Sequence, residues 1–357
     1  MKESNEIILS VLVVSHNQVE FLERCLDSIL SQRIIVPWEI IVSDDNSTDG
    51  SYEYAKSFIG VINARRVDIK DKGFFVPSFS VYQCNSDDAQ PSMVSERCGW
   101  NKLNAFEHAR GKYFVNVDAD DYLRSNDIYQ LQIDALEEHM DCSMCMQQSL
   151  SVKAGDSVES GYISPQSSLL QDGSIISAEV LIRQKLRGVN PTYMIRRHAE
   201  DDMRGLYGKE FDDTVITYHH LQYGSVVFIA RADYVWVQYP NSISHSMTDD
   251  ERVILYGLLP LHHAKMIPSF RQLFLRQGLS DMIHMFKWVS RYPDLSNQYR
   301  DYFSTKAGFI YRYFTEDKHS FISFFRFGFT RVLLLVMKKL HLTGSKWLDF
   351  AEFCLIA

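Results

Sequence analysis

Ile7 to Val14 reads Ile-Ile-Leu-Ser-Val-Leu-Val-Val, an apolar run with one polar position. A short run without alternation is expected of a strand buried on both faces, as in a parallel sheet. Ser15-His16-Asn17-Gln18 breaks it. From Val19 to Gln32 the apolar residues Phe21, Leu22, Cys25, Leu26, Ile29 and Leu30 recur at the spacing of one helix face. Trp38–Ser43 predicts a second buried strand, Asp44–Gly50 a polar turn, and about Ser51–Ile59 a second helix. This β-α-β-α order predicts an α/β fold with a mostly parallel central sheet flanked by helices. Residues 60–95, with Lys70-Asp-Lys-Gly, Pro77 and Pro91, predict irregular chain. A helix is expected over about Glu96–Arg110, then a strand from Tyr113. After Ser125 a further helix carries Ile128, Leu131, Ile133, Leu136 and Met140. Residues 149–177, rich in Ser and Gly, predict a long loop of the kind that is a lid, a binding loop or disordered chain. Residues 226–239 return to strand character, and the pattern is helical from Asp249 to the end. The expected division is an α/β domain over 1–245 and a helical C-terminal extension over 246–357.

The 357 residues suffice for a sizeable core plus an addition. A net charge of -8 argues against a nucleic-acid partner. Six cysteines are scattered at 25, 84, 98, 142, 145 and 354, which is no disulfide framework. A reducing, cytoplasmic setting is expected. Cys142-Ser-Met-Cys145 has the spacing of half a zinc site but lies in a strand-like segment, where residues three apart point to opposite faces. The apolar run after the N-terminus is too short for a signal peptide or a span, so no secretion is expected. Residues 321–339 are strongly apolar but interrupted by Arg326 and Arg331, which argues against a span. Two readings stay open there: a helix in the membrane interface, placing the protein peripherally at the inner face of the plasma membrane, or a helix packed on the core or on a second copy.

Chemistry concentrates where strands are expected to end. Tyr113-Phe-Val-Asn-Val-Asp118-Ala-Asp120-Asp121 closes an apolar run with three carboxylates in four positions. Crowded carboxylates repel unless a cation sits among them. A divalent metal with hard oxygen ligands, itself holding a phosphate, is one reading. A helix N-cap, with Asp121 capping the helix near Ser125, is the other. Asp44-Asp45-Asn-Ser-Thr-Asp49-Gly50 ends a second strand in the same way. In open α/β sheets ligands bind outside the carboxyl ends of the strands, so these clusters and Ser15–Gln18 are expected to face one crevice. The absence of glycine from Ser15–Gln18 argues against a dinucleotide-dependent dehydrogenase.

Four segments in this order resemble glycosyltransferase family 2, nucleotide-sugar enzymes of the GT-A fold. They are Val11-Leu-Val-Val-Ser-His-Asn17 with Leu26 to Gln32, Glu39-Ile-Ile-Val-Ser-Asp44-Asp45-Asn-Ser47-Thr-Asp49-Gly50, Ala105-Phe-Glu-His-Ala109-Arg-Gly111-Lys-Tyr-Phe, and Val117-Asp118-Ala-Asp120-Asp121. The resemblance spans about Ile7 to Leu123 and returns near residue 210. It implies a UDP-sugar donor, with Ser15 and Asn17 in the donor loop and Asp45 reading the uracil N–H. Asp118-Ala-Asp120 would be the family's DxD motif, Asp120 holding Mg²⁺ or Mn²⁺ and Asp118 contacting ribose or sugar. The chain departs from the family at His16, where Tyr is common, and at Lys102-Leu103, where Arg-Asn is common. Lys102 is expected either to serve the diphosphate or to be a surface lysine.

The segment Lys209-Glu210-Phe-Asp212-Asp213-Thr resembles the family's acidic pair at the start of a helix. Asp213 matches the base of an inverting transfer and Asp212 the residue before it; helix capping is the simpler reading. His245, in Asn241-Ser-Ile-Ser-His245-Ser246, is a candidate third metal ligand. The expectation is a metal-dependent transfer of sugar to a saccharide or lipid-linked saccharide in surface polysaccharide assembly. A nucleotidyltransferase and a non-catalytic glycan-binding or scaffold protein of the same fold are the alternatives. The first would want a glycine-rich basic loop near the N-terminus, and the second damage to the acidic motifs; the sequence has neither.

Overall fold

The structure is a computed structural model. It describes residues 6–89, 94–163, 170–184, 186, 190–199, 203–207, 213–240, 242, 263, 266–271 and 273–274. The backbone divides into two compact units, 1–247 with 266–270, and 248–265 with 271–357. Residues 321–339, whose membrane or packing role was left open, lie outside the described residues, as does most of the expected helical region after Asp249.

Four parallel strands form the half of the sheet that positions the site. They are β1 (Leu9–Ser15), β2 (Trp38–Asp45), β3 (Ser78–Cys84) and β4 (Tyr113–Asp118), in the spatial order β3-β2-β1-β4. Every residue of β1 and β2 is buried, as expected of strands covered on both faces. Leu9, Val11 and Val13 join one core with Leu22, Cys25, Leu26 and Ile29 of helix α1 (Val19–Leu30). The opposite face is covered by α4 (Val94–Glu107), whose Phe106 meets Phe114 of β4 edge-on at 5.0 Å. The register pairs Ser15 with Asp44, Asp45 with Cys84 and Val14 with Asp118. The carboxyl ends of all four strands therefore lie along one edge.

The sheet continues through β9 (Tyr193–Arg196), β6 (Cys142–Lys153), β10 (Ser225–Gln238) and β5 (Tyr122–Leu123). Strand β9 is antiparallel to both β4 and β6, while β10 runs parallel to β6 with a register shift between Ile229 and Tyr234. Short strands β7 (Tyr162–Ile163) and β8 (Ile175–Ile176) pair with β6 and β10. The architecture is thus α/β with a mixed, mostly parallel central sheet. Cys142 and Cys145 are both free thiols within β6.

Two stretches expected to be irregular are ordered. Residues 60–95 contain α3 (Ile59–Asp71) and β3, and only Ile62 of α3 is buried. A helix polar nearly all round leaves no apolar stripe to read. β3 is an edge strand of half-buried residues, without the apolar run of its neighbours. The helix expected near Ser125, α5 (Ile128–Glu138), begins at Ile128, and Asp127 at its N-cap position makes no side-chain capping bond. Asp127 instead faces Arg231, which donates to both of its carboxylate oxygens.

Candidate active site

The loops after β1 and β2 are joined by side chains. Asn17 adopts a left-handed backbone with φ 52, a conformation Asn tolerates better than most residues. Its amide N–H donates to Ser47 Oγ at 2.8 Å, and its Oδ1 accepts from Thr48 N at 2.8 Å. Asp44 accepts from Ser47 N and Oγ, and Asp49 accepts from Val19 N and from Ser51 N and Oγ. Asp44 and Asp49 therefore build the turn and the starts of α1 and α2 (Ser51–Ser57). That is the local, structural use of acidic residues weighed in the sequence.

Asp45, by contrast, is 3% exposed and points across the strand ends. Its Oδ1 accepts from Ser86 N at 2.9 Å and its Oδ2 from Ser86 Oγ at 2.8 Å. Arg97 stands 3.4 Å from Oδ2 and also pairs with Asp87. His16 Nδ1 meets the Asp45 carbonyl oxygen at 2.7 Å. Ser86 carried no sequence signal because it lies in a segment read as irregular and reaches Asp45 through the parallel pairing of β2 with β3, and Arg97 carried none because it read as one more polar residue of the helix expected over about Glu96–Arg110.

Helix α4 pins the strand ends with three polar residues within one turn. Asn101 Nδ2 donates to the Ser15 carbonyl at 3.0 Å, and Asn104 Nδ2 donates to Ser43 Oγ at 2.8 Å. Lys102 between them has a side chain 1% exposed, with Nζ 3.3 Å from Asp118 Oδ1 and 2.7 Å from Asp213 Oδ1. The surface-lysine reading is therefore overturned. Burial works against its charge, but Asp118 and then Asp213 more than offset that, and its pKa stands well above the ordinary lysine value. Ser15 is 2% exposed, and neither its Oγ nor Asn101 Oδ1 has a partner among the described residues. The three-residue spacing of Asn101 and Asn104 around a lysine was visible in the sequence; what they grip was not.

The β4 end separates the three carboxylates it crowds. Asp118 is half-buried and faces Lys102. Burial, and after it the charge of Asp118, pushes Asp120 up to about 6 from its ordinary 3.8. Arg24 donates to the Asp120 carbonyl at 3.1 Å and stacks over the Tyr122 ring. Asp121 is 2% exposed; it accepts from Tyr234 Oη at 2.5 Å and Val237 N at 2.8 Å. Its expected role as the cap of α5 is thus corrected. Asp121 buttresses β10, and burial with the charges of Asp120 and Asp118 raises its pKa well above the carboxylate range.

Asp213 opens helix α8 (Asp213–His220), joined to this edge by Lys102. Asp212 and His245 lie outside the described residues. Among the described residues no group of three or more His, Cys, Asp and Glu side chains could hold a metal ion. Asp118 and Asp120 still suit Mg²⁺ or Mn²⁺, which are held by one or two carboxylates together with substrate phosphates. The raised pKa of Asp120 marks a carboxylate whose charge a cation would stabilise. No helix of the described residues is long and apolar enough to cross a membrane.

Residues 10–73 match the family model described as Glycosyl transferase family 2. An uncharacterised protein of Mycobacterium tuberculosis is 22% identical over 244 residues, a match covering 68% of this chain but only 62% of the relative's own length. Glycosyltransferase GlyG of Streptococcus pneumoniae is 25% identical over 251 residues, covering 68% of this chain and 74% of that protein. Among solved structures, that of S. aureus TarS residues 1–349 in complex with UDP has a TM-score of 0.50 at 17% identity, over 98% of this chain and 90% of that one. The likeness in structure is one of fold: a curled, mostly parallel sheet of the GT-A type with helices on its faces. The family match covers the two strand ends that carry Ser15, Asn17 and Asp45, and the sheet around them is of the GT-A type; over residues 10–73 the chain is similar to glycosyl transferase family 2.

Proposed function

We propose that this protein transfers a sugar from a UDP-sugar to a hydroxyl of a saccharide or lipid-linked saccharide, with inversion, in surface polysaccharide synthesis. The observation that carries this reading is the single edge that gathers Asp45, Asp118, Asp120 and, through Lys102, Asp213. Asp45 Oδ1 has a lone pair beyond the one used by Ser86 N, so it can accept the uracil N3–H as well. Ser15 and Asn17 line the loop that meets the nucleoside, and Asp118 faces the ribose or sugar. Asp120, with Asp118 beside it, would hold Mg²⁺ or Mn²⁺, which when bound offsets the negative charge on the departing diphosphate. UDP is the nucleotide in the TarS structure, which makes it the first donor class to test.

Inversion is one in-line displacement. The acceptor hydroxyl gives its proton to the Asp213 carboxylate, and its oxygen forms a bond to the anomeric carbon. The bond from that carbon to the diphosphate oxygen breaks, and UDP keeps the electron pair. Asp213 sits at a helix N-terminus beside an ammonium, both of which favour the ionised carboxylate a base needs before each turnover. Asp212 precedes it in sequence, and His245 is the candidate third metal ligand.

The test is a screen for UDP release across nucleotide sugars with Mn²⁺ present, comparing wild type with Asp213→Asn. Release by wild type and its loss in the variant, with UDP affinity retained, is the expected result. Wild-type rates in Asp213→Asn would remove the base assignment. Pyrophosphate as the product would replace sugar transfer with nucleotidyl transfer.

A further inference from the structure

Lys102 was expected to face the diphosphate or the solvent, and it does something more specific. Its side chain is 1% exposed, yet it carries an ammonium 2.7 Å from Asp213 Oδ1 and 3.3 Å from Asp118 Oδ1. A buried ammonium left unpaired is costly, so these contacts hold the lysine as firmly as it holds them. The helix beneath it is fixed independently by Asn101 on Ser15 and Asn104 on Ser43. Lys102 therefore projects from a rigid base. Its two partners come from elements that do not pair with each other: Asp118 ends β4, and Asp213 starts the eight-residue α8. Their side chains keep 31% and 42% exposure, so both stay reachable by ligands while tied from below.

We infer that Lys102 is a positioning residue that ties the start of α8 to the end of β4, holding the acceptor-side carboxylate Asp213 at a fixed place relative to the donor-side carboxylate Asp118. The inference rests on the reading of Asp213 as the base and deepens it. A base must lie within hydrogen-bond reach of the attacking hydroxyl, and a displacement of about 1 Å can cost roughly a hundredfold in rate. One cation shared by two carboxylates sets that distance. A lysine suits the task because its compact charge can meet two oxygens from different elements, where a guanidinium fork matches the two oxygens of one carboxylate.

The test uses the full chain as wild type, Lys102→Met and Lys102→Arg. Hydrogen exchange measured without ligand should show amides of 213–220 exchanging roughly tenfold faster or more in Lys102→Met, the scale of a lost charged hydrogen bond. Peptides from β1 and β2 should be unchanged, and Lys102→Arg, which keeps the charge, should restore much of the protection. With Mn²⁺ present, UDP affinity by calorimetry should stay within about twofold, while UDP-release turnover falls roughly a hundredfold. Unchanged exchange over 213–220 in Lys102→Met would overturn the tether. A fall in UDP affinity matching the fall in turnover would also overturn it, by placing Lys102 on the diphosphate. Should Lys102→Met fail to fold, Asp213→Asn tests the same tie from its other end: faster exchange over 213–220 supports it, and unchanged exchange overturns it. A wild type that neither binds UDP nor releases it would sink the donor reading, and the exchange data would still decide the tether.

Discussion

Replacing Asp120 by Asn should make the metal-free protein more stable while removing its activity. The carboxyl of Asp120 is pushed from 3.8 up to about 6, first by burial and then by Asp118. A raised carboxylate pKa means that the folded state binds the proton more tightly than the unfolded chain does. Wild-type stability therefore falls as pH rises between about 4 and 6, and the cost is complete above about 6. A shift of about two units corresponds to roughly 3 kcal/mol, at about 1.4 kcal/mol per unit. Asp120 is only partly buried, which places the expected gain nearer 2 kcal/mol. For a unit of this size that raises Tm by roughly 4–8 °C. The assay is thermal unfolding in EDTA at pH 8, 6 and 4. The gap between Asp120→Asn and wild type should be full at pH 8 and mostly closed at pH 4, where the wild-type carboxyl is protonated in the folded state and about half protonated in the unfolded chain. Adding Mn²⁺ with UDP should stabilise wild type and leave the variant unmoved. Equal Tm values at pH 8, or a gap independent of pH, would refute the idea that this carboxylate is held at the strand end against its own charge.

Gly111→Ala should destabilise by about 1–3 kcal/mol in urea unfolding, because the added Cβ would stand 2.6 Å from both Ser10 N and Tyr113 O, backbone atoms of paired strands that cannot step aside. Asp121→Ala should lower stability by roughly 1–3 kcal/mol, since it leaves Tyr234 Oη and Val237 N buried without their acceptor; unchanged denaturation would return Asp121 to a solvated turn. Glu39→Gln should cost a similar amount, because the buried Glu39 carboxylate accepts from Ser10 Oγ, Arg110 N and the Arg110 guanidinium.

The strands nearest the site were legible because burial on both faces writes itself as an unbroken apolar run, as in Val11–Val14 and Ile40–Val42. The polar ends of those runs, Ser15, Asp45 and Asp118, announced themselves by interrupting a pattern. The parallel arrangement followed from helices set between strands, and with it the placing of those ends on one edge. What the pattern could not carry was any element whose burial is partial or whose partners are distant. Helix α3 and edge strand β3 bury too little to be periodic. Asp120 and Asp121 are neighbours of identical chemistry in the sequence. Only the approach of β10, with Tyr234 and Val237, makes Asp121 a buried brace and leaves Asp120 as the carboxylate that burial and Asp118 perturb. Lys102 likewise read as a lysine for the diphosphate or for the surface, because side-chain burial depends on what is packed above it. Folding brings Asp118 from sixteen residues away and Asp213 from more than a hundred to the same ammonium. The sequence by itself determined β1, β2 and β4 and the carboxylates at their ends. The tertiary structure decided which of them are braced, which are tied and which remain for a ligand, because those roles are set by long-range contacts that local pattern does not encode.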